Sequence, residues 1–239
     1  MTVVTLHQPH YLPWLGLLDK FDRSDLFVFV DHVQFERGGW QNRNRVLTRQ
    51  GPTMLTVPLL HRSAGEPIDE KVIDERKPWR RKHFATIAQA YADAPHAGKY
   101  LAGLADLYAK PWTLLRDLNI AMTLYLAQAF GITTPWLRSS DLGPWTTRKT
   151  ALVVDMIRRV GADTFLSGDG ATYYDDRLFT AAGITVVRQQ FRHPVYPQVH
   201  SPGRFTGRLA GVDLLLHAGP SALSVLRSAN QRPTREESR

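Results

Sequence analysis

Residues 3–30 read VVTLHQPHYLPWLGLLDKFDRSDLFVFV, and this stretch decides the fold prediction. Residues 3–6 form a short β-branched run, and residues 26–30 form a continuous apolar run typical of a strand covered on both faces. Between them, the apolar spacing of residues 15–21, with Pro13 near the first turn, predicts a short helix. Strand, loop, helix and strand within about thirty residues are typical of a βαβ unit.

The pattern beyond this unit predicts an α/β fold with a mainly parallel sheet and helical insertions. Further strands are expected at residues 54–59, 71–73, 164–166 and 184–187. Helices are expected at residues 79–91, 100–108, 111–130, 147–160, 174–182 and 213–219. We predict a single domain over residues 1–227, followed by a disordered tail at residues 228–239.

Composition excludes several classes of protein. The chain has 239 residues, of which 43% are hydrophobic and 22% charged, so a disordered, collagen-like or coiled-coil chain is excluded. It contains no cysteine, which removes disulfides, thiolate metal sites and a cysteine nucleophile and favours a reducing, cytoplasmic location. We expect no signal peptide and no membrane span. The formal net charge of +8 suits anionic partners such as nucleotides or phosphates.

The loop after the first strand carries two histidines, His7 and His10, separated by Gln8 and Pro9. Such a loop lies at the carboxyl end of a strand, where α/β proteins bind anions. The imidazoles there can donate to phosphate oxygens or transfer protons. The alternative is that they order the loop through backbone hydrogen bonds. A metal site made of His7, His10 and His32, with Asp31, is a further hypothesis that the sequence supports less well.

A second group of polar residues begins where the second strand should end. Asp31 and Gln34 come first, and Asn42, Arg43 and Asn44 follow. Asparagine and arginine recognise hydroxyls, carboxylates and phosphates by directed hydrogen bonds. The alternative is a solvated turn whose asparagines adopt left-handed conformations.

Two later loops complete the candidate site. Residues 167–171 read SGDGA after a predicted strand, where glycines allow a ligand to approach the backbone closely. The alternative is a simple turn between strand and helix. Residues 193–198 read HPVYPQ, a second loop rich in histidine, tyrosine and proline.

These motifs together resemble the WbqC-like family. The resemblance rests on residues 7–16, on Asp31 with Gln34 and Phe35, on residues 40–44, and on later matches that cover nearly the whole chain. These later matches are Thr56–Pro58, Leu166–Gly168 with Gly170 and Tyr174, His193 and Pro194 with Tyr196 and Gln198, and Asp213–Leu215 with Gly219 and Pro220.

The family is associated with bacterial surface-polysaccharide and natural-product gene clusters, so the resemblance implies biosynthetic group transfer. The first βαβ unit is also similar in layout to the nucleotidylyltransferase-like (HUP-like) branch of Rossmann-like folds. In that branch a His-x-Gly-His motif contacts nucleotide phosphates, whereas this chain has His7-Gln8-Pro9-His10.

From these observations we expect a transferase that moves an acyl, aminoacyl or nucleotidyl group to an amine or hydroxyl. The cofactor is open, with a nucleotide or nucleotide-activated donor as the candidate, and the substrate is expected to be anionic or nucleotide-linked. The candidate catalytic residues are His7, His10 and Asp31. The candidate substrate-binding residues are Gln8, Tyr11, Trp14, Gln34, Asn42, Arg43, Asn44, Ser167, Gly168, Asp169, Gly170, Tyr174, His193, Tyr196 and Gln198.

Two other classes of function stay open at this point. One is a non-catalytic protein that binds a nucleotide or RNA, with tRNA as a less favoured partner; the salt dependence of binding would reveal it. The other is a metal-dependent hydrolase.

Overall fold

The computed structural model describes residues 1–60, 65–168, 173–201 and 203–229. The strands are β1 (Val3–His7), β2 (Leu26–Phe29), β3 (Arg43–Thr48), β4 (Gly51–Thr56), β5 (Trp136–Arg138), β6 (Thr164–Ser167) and β7 (Thr185–Arg188). The helices are α1 (Leu15–Arg23), α2 (Trp79–Ala90), α3 (Ala97–Ala109), α4 (Leu115–Phe130), α5 (Ser139–Leu142), α6 (Lys149–Arg159), α7 (Asp176–Ala181), α8 (Val212–Ala218) and α9 (Ala222–Ala229).

A five-stranded sheet with the order β5-β2-β1-β6-β7 forms the centre of the fold. Every neighbouring pair in this sheet is parallel. The first strand thus lies in the middle, and the order of strands along the chain reverses between β1 and β6. The predicted βαβ unit and the α/β class with a mainly parallel sheet are confirmed.

The alternation of side chains along β2 explains its continuous apolar run. Phe27 and Phe29 point to one face and pack on Phe21 of α1, with the Phe21 and Phe27 rings stacked 4.2 Å apart. Val28 points to the other face and belongs to a second core with Ile157 of α6. Because successive side chains of a strand point to opposite faces, a strand between two cores must be apolar at every position.

The structure differs from the sequence prediction at several places: helices α5 and α9 are not predicted, and β4 spans Gly51–Thr56 rather than residues 54–59. Residues 43–48 form β3, which pairs antiparallel with β4, although this stretch was interpreted as a possible solvated turn. Residues 71–73 make isolated bridges to Leu59 and Leu114 rather than a strand. The short edge strand β5 is not evident from the sequence. The sequence does not predict β3 as a strand because a polar residue, Asn44, occupies one of its buried positions. The side chain of Asn44 is buried because it hydrogen-bonds to the Leu12 carbonyl oxygen.

The predicted disordered tail begins at residue 228, whereas Ser228 and Ala229 are the last two residues of helix α9. Residues 230–239 lie outside the described part of the chain, so their disorder stays a prediction. Among the described residues, no helix has the length and apolar character needed to cross a bilayer.

Candidate functional site

The strand order points to one position for a ligand. In open α/β sheets ligands bind at the carboxyl ends of the strands where the strand order reverses, and here that position lies between β1 and β6. β1 ends at His7 and β6 ends at Ser167. We call the group formed by His7, His10, Lys20 and Ser167 the β1/β6 site.

The two imidazoles of this site contact each other edge to face. Their ring centroids lie 4.6 Å apart at an interplanar angle of 80°. His7 Nδ1 lies 2.7 Å from the carbonyl oxygen of Gln8. Because a carbonyl oxygen only accepts hydrogen bonds, this nitrogen carries the proton of the neutral ring, and Nε2 keeps the lone pair. His10 Nδ1 is buried and has no hydrogen-bond partner among the described residues.

Both imidazoles are held neutral. Burial lowers the pKa of His7 well below its ordinary value, and the Lys20 ammonium and His10 lower it further. Burial, followed by the charge of Lys20, lowers the pKa of His10 to about 3. Each ring is therefore neutral near pH 7 and has a nitrogen lone pair that can accept a hydrogen bond.

Lys20 brings a positive charge to this edge from α1. Its side chain is only 4% exposed, and its Nζ lies 3.7 Å from the position that a Cβ on Gly168 would occupy. Lys20 is not among the predicted site residues because it lies within an amphipathic helix, where a lysine is usually solvated. The signal that could have found it is its position next to the apolar residues Leu17, Leu18 and Phe21.

Ser167 provides the second polar group that lacks a partner. Its side chain is 1% exposed, and its Oγ makes no hydrogen bond within the described part of the chain. A buried hydroxyl without a partner costs about 1–3 kcal/mol, so such groups generally face a ligand or water. Gly168 follows it, while the predicted binding residues Asp169 and Gly170 lie outside the described residues.

Three buried amides hold the loop between β1 and α1. Gln41 Nε2 donates to Gln8 Oε1 at 2.7 Å, and Asn119 Nδ2 of α4 donates to the carbonyl oxygen of Pro9 at 3.0 Å. Asn44 Nδ2 donates to the carbonyl oxygen of Leu12. The sequence analysis missed Gln41 and Asn119; an asparagine within the apolar run of α4 was the available signal. These amides position the loop that carries His7 and His10.

The other predicted binding residues of this region, Gln34, Asn42 and Arg43, contact residues of the neighbouring loops and strands. Asn42 Nδ2 donates to the carbonyl oxygen of Val57 at 2.9 Å. Arg43 Nε donates to the carbonyl oxygen of Gly39 at 3.2 Å, and its Nη2 to that of Gly38. Gln34 is exposed and forms an isolated bridge with Pro67. Substrate binding by Gln34, Asn42 and Arg43 stays a prediction.

Asp31 lies beyond the end of β2, next to β1, and is fully buried. Its carboxylate accepts hydrogen bonds from Ser139 Oγ at 3.0 Å, Ser140 N at 2.9 Å and Ser140 Oγ at 2.7 Å. Arg116 Nη1 of α4 lies 3.4 Å from Oδ2. These partners belong to α4 and α5 rather than to the loop with the histidines, and a catalytic role for Asp31 stays a prediction.

A family model now decides what the chain is related to, because the model of the WbqC-like protein family matches residues 8–225. The chain belongs to the WbqC-like family. This WbqC-like protein is 29% identical over 235 residues to "Uncharacterized protein Rv1507c" of Mycobacterium tuberculosis, an alignment that covers 97% of this chain and 100% of that protein. No solved structure matches the chain.

The late loop of this WbqC-like protein converges on one carboxylate, the fully buried Asp213 of α8. Tyr196 Oη donates to Asp213 Oδ2 at 2.7 Å, Gln198 Nε2 to the same oxygen at 2.8 Å, and Tyr91 Oη to Oδ1 at 2.9 Å. His193 packs on Phe205, and its buried Nε2 has no partner among the described residues. Tyr196 and Gln198 thus meet at Asp213, which lies in the predicted helix 213–219 and is itself part of the family resemblance.

Three predicted aromatic residues pack within the protein. Tyr11 is fully buried, and its hydroxyl contacts His83 Nδ1 at 2.8 Å and the hydroxyl of Tyr108. Trp14 lies against Gly16 and contacts Phe191, with ring centroids 5.1 Å apart. Tyr174 contacts Phe165 and Phe179 in the second core. Their substrate-binding roles stay predictions.

Two further features bear on the chemistry of this WbqC-like protein. Within the described ranges, no three His, Asp or Glu side chains come close enough together to hold a metal ion. A surface cavity of about 200 Å³ lies between the β3–β4 hairpin and α2. Arg49 is its only titratable lining residue, so it offers no group for proton transfer near neutral pH.

Proposed function

We propose that this WbqC-like protein catalyses a biosynthetic group transfer, of an acyl, aminoacyl or nucleotidyl group to an amine or hydroxyl, at the β1/β6 site. The observation that carries the proposal is the convergence of two neutral imidazoles, the Lys20 ammonium and the Ser167 hydroxyl, which has no partner among the described residues, at the edge where the strand order reverses. Structural groups rarely leave buried polar atoms without partners, whereas ligand sites do so when empty.

An anionic or nucleotide-linked donor suits this site. Numbered along the chain, the sheet strands have the spatial order third, second, first, fourth and fifth, as in the Rossmann-like folds that bind nucleotides. We propose that this protein has the Rossmann-like (HUP-like) layout and binds its donor at the same position of the sheet. Lys20 attracts the anionic part of the donor, while Ser167 Oγ and His10 Nδ1 hydrogen-bond to it.

His7 is the proton acceptor in this proposal. The Gln8 carbonyl fixes its tautomer, so Nε2 presents a lone pair. As the acceptor nitrogen or oxygen attacks the transferred group, its proton moves to His7 Nε2 and the new bond forms. The bond to the leaving group breaks, and the leaving group departs as an anion near Lys20. A neutral base is required at this step because an imidazolium has no lone pair.

The test combines ligand binding with turnover. A thermal-shift screen of nucleotides, nucleotide-sugars and acyl donors identifies the donor, since a ligand at 100 times its Kd stabilises by roughly 2.7 kcal/mol. With that donor, H7N and H10A are expected to reduce turnover at least 100-fold while their melting temperatures stay near that of the wild type. Lys20→Met is expected to weaken donor binding.

The control and the contrary outcomes are specific. Gln128→Ala, at an exposed position on α4, is expected to leave turnover unchanged. Loss of folding in both histidine variants indicates that the imidazoles only order the loop. Binding without turnover indicates a nucleotide-binding protein, and steeply salt-dependent binding of tRNA indicates an RNA-binding protein.

A further inference from the structure

A second cluster of buried polar groups lies beside the β1/β6 site, beyond the carboxyl end of β2. Asp31 follows Val30, whose N–H donates to the carbonyl oxygen of His7 at 2.9 Å, so the cluster adjoins the strand end that carries His7. Asp69 joins it through its own N–H, which donates to the carbonyl oxygen of Asp31 at 3.0 Å. The cluster consists of Asp31, His32, Asp69, Arg116 and Ser139.

The hydrogen bonds of Ser139 define the tautomer of His32. Ser139 Oγ donates its proton to Asp31 Oδ1 at 3.0 Å and accepts the backbone N–H of Asp31 at 3.1 Å. Ser139 Oγ has no further proton to donate, so in its contact with His32 Nδ1 at 2.6 Å the serine oxygen accepts and the imidazole N–H donates. Nδ1 of His32 therefore carries the proton, and Nε2 of the neutral ring is a hydrogen-bond acceptor.

Two buried acceptor atoms of this cluster have no donor in the described part of the chain: His32 Nε2 and Asp69 Oδ1. The other carboxylate oxygen, Asp69 Oδ2, faces Arg116 Nη1 at 4.0 Å. His32 is held in place by stacking on Trp145, with ring centroids 5.8 Å apart. The Asp69 side chain as a whole is 22% exposed, so the cluster lies near the surface although its Oδ1 is buried.

The charge around these atoms is negative. Arg116 faces Asp31, Asp69 and Asp117, and Arg138, which pairs with Asp141, is the second guanidinium near Asp31 and Asp117, so these four carboxylates outnumber the two guanidinium groups. Burial lowers the pKa of His32, against the influence of Asp31 and Asp69, and burial together with Asp31 raises the pKa of Asp69. A single occupant that hydrogen-bonds to both acceptors has to supply two N–H donors, and the surrounding carboxylates favour a positive charge on it. A primary ammonium group meets both conditions, since it has three N–H donors and no acceptor.

We infer that His32 Nε2 and Asp69 Oδ1 form a subsite for the primary ammonium group of a substrate, beside the β1/β6 site. The inference rests on the proposed function only in naming this molecule as a substrate of the transfer; the binding of the ammonium group does not depend on that function. Ser139 and Asp31 position His32, and Asp69 supplies the countercharge. The substrate class is thus an amine-bearing molecule, such as an amino sugar or amino acid.

The test follows the imidazole nitrogens of the full-length protein by ¹⁵N NMR at pH 7.5, with methylammonium chloride as the probe. We expect a saturable shift of His32 Nε2. Tetramethylammonium chloride at equal ionic strength, which has no N–H donor, is expected to give none. Methylammonium binding by the variants is followed on the probe itself, through the ¹H NMR signal of its methyl group, because H32Q lacks the imidazole reporter. D69N and H32Q are each expected to weaken this binding at least 10-fold. D93N, which changes an exposed carboxylate that pairs with Arg49, is expected to bind as the wild type does.

The contrary results are equally specific. No saturable shift, an equal shift with tetramethylammonium, or unchanged binding by both D69N and H32Q would show that water occupies these acceptors and would overturn the inference. A parallel titration with inorganic phosphate, followed at His7 and His10, reports on the β1/β6 site. Failure of that titration with methylammonium binding intact argues against the proposed function alone.

Discussion

The side-chain amide of Asn119 donates to the carbonyl oxygen of Pro9 at 3.0 Å and thereby ties helix α4 to the loop between the two histidines. The same amide donates to the carbonyl oxygen of Gln41 at 2.7 Å. Gln41 in turn contacts the loop twice, since its carbonyl oxygen accepts the N–H of Tyr11 and its side chain donates to Gln8. Asn119 therefore supports both the loop and the residue that braces it.

Asn119→Leu is expected to destabilise the protein by about 2 kcal/mol, because the buried Pro9 carbonyl oxygen loses its donor while that of Gln41 keeps only the N–H of Tyr11. Urea unfolding measures this change. Gln128→Leu is the matched control because Gln128 is exposed on the same helix, and it should change the stability by less than about 0.5 kcal/mol. Similar costs for the two variants would mean that the Asn119 hydrogen bonds contribute nothing specific.

Ser167→Ala is expected to leave the free energy of unfolding unchanged or slightly raised, because the hydroxyl it removes has no partner among the described residues. The same variant should bind the donor identified by thermal shift at least 5-fold more weakly. Ser24→Ala is the contrasting control, since Ser24 Oγ donates to Thr5 Oγ1 at 2.7 Å and also contacts the Lys20 carbonyl oxygen. It should cost about 1 kcal/mol and leave a structurally intact site. A marked loss of stability in S167A would point to a structural role for that hydroxyl.

Gly16→Ala tests the packing of the Trp14 ring on α1. A Cβ at this position would lie 2.6 Å from Trp14 Cζ2, so the indole must move, and we expect a cost of about 1–3 kcal/mol. Gly98→Ala on α3 has open space around the added Cβ and should be neutral or stabilising by up to about 1 kcal/mol. Thermal unfolding of both variants provides the comparison. A destabilised G98A beside a neutral G16A would contradict the packing seen at Trp14.

His83 is expected to make the protein sensitive to acid. Burial lowers its pKa from 6.5 to about 4, and its ring is 7% exposed. Below pH 6.5 the unfolded chain binds this proton while the folded chain does not, so stability falls as the pH decreases toward 4. Between pH 7.5 and 5 the loss assigned to this residue is about 2 kcal/mol.

His83→Gln should reduce the pH dependence of the unfolding free energy by that amount. The amide side chain cannot titrate, and it can still hydrogen-bond to the hydroxyl of Tyr11. Urea unfolding of the wild type and the variant across this pH range measures the difference. Parallel curves for the two proteins would show that His83 already titrates normally in the folded state.

Much of the architecture follows from side-chain periodicity. The βαβ unit, the parallel sheet and the later helices except α5 and α9 are predicted, because the alternation and the helical period of apolar residues record which faces are buried. The prediction failed at β3, where a buried amide replaces an apolar residue at Asn44, and at the short edge strand β5. Both lack the apolar pattern on which such predictions depend.

The candidate site divides in the same way. The sequence alone predicts His7, His10 and Ser167 as candidate site residues, because they lie at or just after the ends of strands that share one edge of the sheet. Only the tertiary structure brought Lys20 to them and assigned Asp31 to the neighbouring cluster. Pro9 and Asn119 show the physical reason, since they are separated by 110 positions in the chain and hydrogen-bond directly. Local patterns record burial, whereas the partner of a buried polar group depends on how distant elements pack.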